Sequence, residues 1–173
     1  RLYVHIADVS EYVKEGGEVD REAYARGTSV YFVDKVVPML PEALSNGSCS
    51  LNGGVDRWAL SAIIDLDKAG NPRSYDFAKS LIRSDVRGVY AEVNDLFEKG
   101  RDSAFAGKYA PVLDMLFDMQ TLYGVLRRAA EVRGQLNLES TEAKILLDEK
   151  GIAVDIVPRT RGEAEMLIEQ FML

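Results

Sequence analysis

Residues 27–52, which read GTSVYFVDKVVPMLPEALSNGSCSLN, place the strongest constraint on how this chain can fold. Glycine, proline, asparagine and serine recur there at irregular intervals, a composition that the packing of regular elements seldom requires. Each of these residue types favours turns. We therefore expect a loop with several turns here. Loop building alone and the shaping of a pocket wall explain residues 38–41 and 45–47 equally well.

Length and composition set the class of protein. With 173 residues, 47% hydrophobic and 28% charged, the chain has the size of one ordinary domain and can build a core. It has no run of about 18 apolar residues that could span a bilayer, and no basic segment followed by an apolar block at its start. We therefore expect a cytoplasmic protein without membrane association. The single cysteine, Cys49, is expected to be a small packed side chain.

Regular elements are expected on either side of the loop's start. Residues 2–7 alternate apolar and polar side chains around His5, which is typical of a strand. Asp20 is a plausible N-cap for a short helix over residues 20–25, because its side chain can accept a hydrogen bond from a free backbone N–H. Gly27 should end that helix.

Two hairpins follow in the pattern. The β-rich runs 58–66 and 75–82 flank residues 67–72, which are dense in turn formers, so we expect two antiparallel strands. A second pair, 143–147 and 152–157, flanks another turn.

The longest element is predicted as a helix near residues 111–133, where apolar residues recur at helical spacing. A last helix begins near Arg161, with Thr160 and Glu163 fitting a capping box. Together the elements predict a mixed α+β fold, with a largely antiparallel sheet packed with helices. No linker interrupts their order, so we expect one unit.

The charge of the chain argues against nucleic-acid binding at first sight. The net charge is −7, whereas nucleic-acid binders usually carry a basic excess. An acidic total is still compatible with RNA binding if basic groups line the path of the strand and acidic groups surround metal ions. The chain holds three small basic patches, each of which is also explained as a solvated helix end or strand face: Arg83 with Arg87; Arg127, Arg128 and Arg133; Arg159 with Arg161.

Five segments resemble one protein family in their order along the chain. Besides residues 27–52, they are VHIADVSEYV (4–13), DREAYARGTSVYF (20–32), IRSDVRGVYAEVNDLFE (82–98) and MLIEQFML (166–173). The chain is identified as similar to the catalytic domain of the RNase II and RNase R exoribonucleases, and GTSVYF leans towards RNase R. The resemblance implies an enzyme that hydrolyses single-stranded RNA from its 3′ end to nucleoside 5′-monophosphates.

The resemblance also implies a cofactor that this chain does not hold by itself. Family members bind Mg²⁺ through aspartates just upstream of the strand that begins here at Leu2. We therefore expect residues 1–173 to be a partial catalytic domain that begins after those aspartates and ends within the domain. The catalytic residues stay unknown, and the isolated piece is expected to be inactive. We expect single-stranded RNA as the partner, with a monomeric full-length protein.

Three residues match the family's RNA-contacting positions. Tyr31 corresponds to a tyrosine that lies against the last nucleotides, where a phenol ring can stack on any base. Tyr90 and Glu169 correspond to residues implicated in choosing RNA over DNA, which requires a polar group at the 2′-hydroxyl. The resemblance places all three in one ribose-sensing cavity. Tyr90 is expected to open a helix, and helical spacing puts Glu169 off the apolar face of its helix. The alternatives are an ordinary packed tyrosine for Tyr31 and a solvated glutamate for Glu169.

This chain departs from the family pattern at two positions, Leu138 and Val33. Several relatives carry phenylalanine where this chain has Leu138, a residue that can wedge against a base but cannot stack. Val33 replaces the usual proline after Tyr31 and Phe32. Two further functions stay open: an RNA-binding relative without catalysis, and a scaffold for protein interaction. Asp65 and Asp67 share a strand face but are expected to be a solvated strand end.

Overall fold

The structure is a computed structural model that describes residues 1–136 and 143–173. Helices and antiparallel strand pairs alternate along the chain, which confirms the predicted mixed α+β fold. In chain order the main elements are β1 (Leu2–Ala7), α1 (Glu18–Arg26), β2 (Val30–Tyr31), β3 (Val36–Val37), β4 (Asp56–Leu66), β5 (Pro72–Arg83), α2 (Tyr90–Lys99), α3 (Ala106–Tyr109), α4 (Leu113–Val132), β6 (Ala143–Leu147), β7 (Ala153–Pro158) and α5 (Glu163–Met172).

The described residues group into two compact units. The first combines residues 1–6, 52–136 and 161–173, and the second combines residues 7–51 and 143–160. Each unit joins stretches that are far apart in the chain. The sequence therefore shows no linker at the division, and the expectation of one unit did not anticipate it.

The first unit contains a three-stranded sheet with strand order β1-β4-β5. β4 and β5 pair antiparallel, so the hairpin predicted over residues 58–82 is confirmed and is longer at both ends. Its turn is held by Asp67, whose carboxylate accepts hydrogen bonds from the backbone N–H groups of Ala69 and Asn71, both at 2.9 Å. Gly70 adopts a φ of +84°, a left-handed conformation that glycine takes at little cost.

The two faces of this sheet differ. On one face Ser61 is buried and lies between His5 Nδ1 at 2.6 Å and Ser80 Oγ at 2.5 Å, so His5 is a satisfied strand residue as predicted. On the other face, alternate residues of β4 and β5 leave large apolar side chains exposed, among them Trp58 and Phe77. This alternation is the period of two that a β-strand imposes.

Four helices of the first unit share a hydrophobic core. Val93 and Leu96 of α2 pack with Tyr109, Leu113 and Ala164, which come from α3, α4 and α5. Within the described part of the chain, no helix is long and apolar enough to cross a membrane. The long helix predicted near residues 111–133 is α4, and a short 3₁₀ turn that includes Pro111 precedes it.

The predicted helix starts need two corrections. α1 begins at Glu18 with Gly17 as its N-cap, three residues before the predicted cap, and the Asp20 carboxylate instead accepts a hydrogen bond from the Gly16 N–H at 2.8 Å. α5 begins at Glu163 with Gly162 as its N-cap, so the capping box of Thr160 with Glu163 is wrong. Glu165 fills the expected glutamate role and accepts a hydrogen bond from the Gly162 N–H at 3.0 Å.

The second unit holds the short elements. α1 ends at Gly27, which adopts a φ of +72° as predicted for a stop signal. β2 and β3 form a two-residue antiparallel pair, in which Tyr31 stands opposite Val36. β6 and β7 form the second predicted hairpin.

Candidate functional site

Tyr90 opens α2, as the sequence predicts, and is 45% exposed. The start of this helix is fixed by Tyr109, which is only 1% exposed. The Tyr109 hydroxyl accepts a hydrogen bond from the Val89 N–H at 3.0 Å and donates one to Glu92 Oε2 at 2.6 Å. Since Val89 immediately precedes Tyr90, the hydrogen bond from Val89 to Tyr109 holds the backbone from which the Tyr90 side chain extends.

Two opposite pKa shifts keep this contact in one protonation state. The hydrogen bond from Lys108 at 2.5 Å, with that from Tyr109, lowers the pKa of Glu92. Burial, together with the hydrogen bond to Glu92, raises the pKa of Tyr109. At neutral pH Glu92 is therefore a carboxylate that accepts, and Tyr109 is a neutral phenol that donates.

Asn94 connects α2 to the start of α5. Its Oδ1 accepts a hydrogen bond from the Ala164 N–H at 2.8 Å, and its Nδ2 donates to Glu165 Oε2 at 2.9 Å. The first N–H groups of a helix have no partner within the helix, so a side chain from α2 here supplies the cap. Gly162 has no room for a Cβ atom, because the Asn94 carboxamide occupies that space.

Glu169 lies on α5 with about half of its side chain exposed, off the buried face as predicted. It forms an ion pair with Arg161, the residue that precedes the Gly162 cap. A carboxylate offers about four acceptor positions, so this pair leaves Glu169 able to accept another hydrogen bond.

Tyr90 and Glu169 are related through Asn94. Tyr90 precedes Asn94 by four residues, and Glu169 follows Glu165 by four, so each pair shares one face of its helix. α2 and α5 pack against each other, and the Asn94–Glu165 hydrogen bond joins those two faces. The one hydrogen bond between Asn94 and Glu165 therefore joins the helix face that bears Tyr90 to the helix face that bears Glu169.

Tyr31 belongs to the second unit and is 76% exposed. Its strand ends in a tight turn that is closed by a hydrogen bond from the Phe32 N–H to the Lys35 carbonyl oxygen at 2.8 Å. The Lys35 ammonium also lies 5.5 Å from the centre of the Phe32 ring. The Tyr31 ring thus presents an open face on a short, internally braced hairpin. That Tyr31 shares a cavity with Tyr90 and Glu169 stays a prediction, and Leu138 lies outside the described residues.

The proline-framed loop is tied to α1. Arg26 Nη1 donates to the Pro38 carbonyl oxygen at 3.1 Å, and the Met39 N–H donates to Ser29 Oγ at 2.9 Å. The groove between helix and loop has a volume of about 430 Å³ and is lined by Glu18 and Glu22. Arg26, which pairs with Glu22, also lines this groove. The role of the loop as a pocket wall stays a prediction.

Asp65 and Asp67 are both engaged in contacts with neighbouring protein groups. Asp65 accepts hydrogen bonds from Arg1 Nε at 2.8 Å and Ser74 Oγ at 3.0 Å, and the guanidinium of Arg1 lowers the pKa of Asp65 to about 2. Asp67 is occupied by its own turn. Among the described residues, no group of three or more histidine, cysteine, aspartate or glutamate residues could hold a metal ion.

Cys49 is half-buried, and burial, with a smaller effect of Asp8, raises the pKa of its thiol. A raised pKa favours the unreactive thiol over the thiolate. This agrees with the predicted packing role.

Sequence reasoning missed Asn94 and Tyr109 as residues that position the site. Asparagine is unfavourable inside a helix because its side chain competes for backbone groups, so its presence in the middle of α2 was a usable signal. Tyr109 gave no comparable signal, because a buried tyrosine in a helical region fits core packing equally well.

Comparison with known proteins gives a consistent result. The family model described as the RNB domain matches residues 1–173. Ribonuclease R of Thermotoga maritima is 49% identical over 173 residues, which are 99% of this chain and 24% of that protein. Ribonuclease R of Escherichia coli is 40% identical, with 100% of this chain and 21% of that protein covered. The chain therefore spans about a quarter or less of these relatives.

Solved structures agree with the sequence relatives. Mycoplasma genitalium RNase R in complex with ribose methylated single-stranded RNA superposes with a TM-score of 0.91 at 32% identity, covering 98% of this chain and 26% of that chain. Yeast Ssd1, a pseudonuclease, has a TM-score of 0.66 at 19% identity over 98% of this chain and 20% of that chain, a likeness of fold alone.

Proposed function

The chain belongs to the RNB domain family, and from this we propose that it is part of a processive 3′-to-5′ exoribonuclease. Its substrate is single-stranded RNA, which the whole enzyme hydrolyses to nucleoside 5′-monophosphates. The observation that carries the proposal is the 49% identity to a ribonuclease R along nearly the whole chain. The solved complex of a relative with single-stranded RNA adds support for the substrate.

We assign this chain the recognition of the 3′-terminal nucleotide. Tyr31 offers an exposed ring for stacking on a base, which contributes about 1–3 kcal/mol per base with little sequence preference. Glu169 accepts a hydrogen bond from the ribose 2′-hydroxyl, and the Tyr90 hydroxyl supplies a second polar group near it. A deoxyribose would leave the carboxylate unpaired, so its binding costs more.

The arrangement of α2 and α5 supports this assignment. Tyr109 fixes the helix start that bears Tyr90, and Asn94 fixes the start of α5, which bears Glu169. A selective pocket needs polar groups held by supporting contacts. The hydrogen bonds of Tyr109 and Asn94 supply that support.

Magnesium is the cofactor that the family implies. The described residues hold no cluster that fits a metal ion, so we propose that its ligands belong to other residues of the protein. When bound, a pair of such ions would activate water and stabilise the leaving 3′ oxygen. The residues described above bind and orient the RNA. We also propose that the full-length protein is monomeric and cytoplasmic.

The decisive experiment uses the full-length protein with magnesium and a 5′-labelled RNA strand. An exoribonuclease shortens the strand stepwise from its 3′ end and releases nucleoside 5′-monophosphates. Binding without turnover would instead support an inactive RNA-binding relative, a candidate kept open because a pseudonuclease shares this fold.

Variants separate RNA recognition from a scaffold role. Tyr31→Ala and Tyr90→Ala should each weaken oligoribonucleotide binding. Tyr24→Ala is the matched control, because Tyr24 is 90% exposed on α1 and is assigned no RNA contact. If both Tyr31→Ala and Tyr90→Ala bind RNA as the wild type does, the proposed recognition role is wrong.

A further inference from the structure

A groove between the β4–β5 turn and the last turns of α4 collects positive charge. Lys68 lies on the turn wall, while Arg128 and Arg133 lie on the helix wall. Val125 and Ala129 provide apolar surface between them, and the groove has a volume of about 430 Å³. The sequence showed the two arginines as one patch, whereas Lys68 joins them only in the fold.

Among the described residues, the acids near these three cations have other partners. None of the three cations forms an ion pair with a residue in the described part of the chain. The nearest acids in sequence have other partners: Asp67 pairs with Arg73 at 3.2 Å, and Glu131 pairs with Arg127 at 3.2 Å. In a chain with a net charge of −7, this groove is therefore a local positive site.

The walls of the groove are held in place. Gly70, at the tip of the turn, is buried, and a Cβ atom there would lie 3.2 Å from both Leu126 Cδ2 and Val125 Cγ1. The turn thus packs directly on α4. A ligand that enters such a preformed groove avoids much of the entropic cost of ordering it.

A simpler role explains only part of this arrangement. Arginine near the C-terminus of a helix interacts favourably with the helix dipole, which accounts for Arg128 and Arg133. Lys68 is on a different element and gains nothing from the dipole in this way. Cations on two opposing walls, with apolar surface between them, suit an extended polyanion whose sugars and bases also make contacts.

We propose that this groove binds the sugar-phosphate backbone of single-stranded RNA. The inference rests on the function proposed above and adds a second contact region, since none of Tyr31, Tyr90 and Glu169 lines the groove. Lys68, Arg128 and Arg133 contact phosphates, while Val125 and Ala129 contact sugars or bases without reading sequence.

The test neutralises the groove in the full-length protein. Lys68→Gln, Arg128→Gln and Arg133→Gln are made singly and together, and RNA affinity is measured without magnesium over a range of salt concentrations. Each lost phosphate contact should reduce the slope of log K against log salt by about 0.7, so the triple variant should lose about 2. Affinity for a long single strand should fall at least tenfold, whereas a short oligonucleotide that fills only the 3′ pocket should bind unchanged.

Arg127→Gln is the matched control. It removes the same charge from the residue immediately before Arg128 in α4. The Arg127 side chain pairs with Glu131 and does not line the groove. Its salt slope should match the wild type.

The outcomes separate the two proposals. If the wild type binds RNA and the triple variant keeps its slope and its affinity for long strands, the groove proposal is overturned. If the triple variant instead only melts at a lower temperature, the cations serve the helix end, which overturns the proposal equally. If the wild type binds no RNA at all, the proposed function itself fails.

Discussion

The carboxamide of Asn94 occupies the space that a side chain on Gly162 would need. Asn94 lies on α2, and Gly162 caps α5, so the two helices interlock where one partner has only a hydrogen atom. The same carboxamide supplies the hydrogen-bond acceptor for the Ala164 N–H. The glycine at the cap and the asparagine in the partner helix therefore depend on each other: the missing side chain of Gly162 leaves the space that the Asn94 carboxamide fills.

Gly162→Ala should destabilise the protein by about 1–3 kcal/mol, because the new methyl group overlaps Asn94. The φ of Gly162 is −92°, which any residue can adopt, so backbone strain makes no contribution. Urea denaturation measures the change. Gly124→Ala is the control: Gly124 lies within α4 with open space around it, and alanine there should stabilise by up to about 1 kcal/mol.

Asn94→Ala should cost about 1–2 kcal/mol, because α5 loses its cap and Glu165 loses a hydrogen-bond donor. Alanine at position 94 also makes room for a side chain at position 162. The double variant with Gly162→Ala should therefore be more stable than the sum of the two single effects predicts. Strict additivity in the double-mutant cycle would contradict the interlock.

Tyr109→Phe should lower the free energy of unfolding by about 1–2 kcal/mol, since the Val89 N–H and Glu92 both lose a partner. Chemical denaturation gives the value, and Tyr24→Phe, on an exposed tyrosine, should change nothing. If Tyr109 positions Tyr90, the variant should also bind oligoribonucleotides more weakly.

The pH dependence of stability should report the contact of Glu92 with Lys108 and Tyr109. The folded state lowers the pKa of Glu92 from its ordinary value of 4.5. Its contribution is therefore present above pH 4.5 and is lost as the pH falls through the lowered pKa. Unfolding measured from neutral to acidic pH should show a smaller loss of stability in acid for Glu92→Gln than for the wild type. Equal slopes would rule out this contribution.

Glu169→Gln should reduce the preference for a 3′-terminal ribose over a deoxyribose by about tenfold, because a hydrogen bond to a charged acceptor contributes about 1.5–3 kcal/mol. The ratio of kcat/KM for two strands that differ only in the last sugar measures this. Glu98→Gln, on an exposed residue near the end of α2, should leave the ratio unchanged. An unchanged ratio in Glu169→Gln would remove this residue from ribose recognition.

Local patterns in the sequence predicted most of the regular elements. The β4–β5 hairpin was predictable because Asp67 and Asn71 build its turn from their own side chains and backbone. The end of α1 was predictable because Gly27 adopts the left-handed conformation that stops a helix. In both cases the deciding contacts lie within a few residues of each other.

The start of α5 was not predictable in this way. A local rule favours Thr160 as the cap, but the cap is completed by Asn94, about 70 residues away in the chain. The division into two units and the meeting of Lys68 with Arg128 also depend on distant segments. Of the candidate site, Tyr90 at a helix start and the exposed face of Glu169 were correct expectations, while the residues that hold them came only from the fold.

The packing of Gly70 on α4 has a consequence for motion. Its N–H donates to the Asp67 carbonyl oxygen at 3.1 Å, and the residue is buried. Exchange of this amide with deuterium therefore requires the turn to lift off the helix. The exchange rate of the Gly70 amide proton thus reports how often the hairpin and α4 separate in solution.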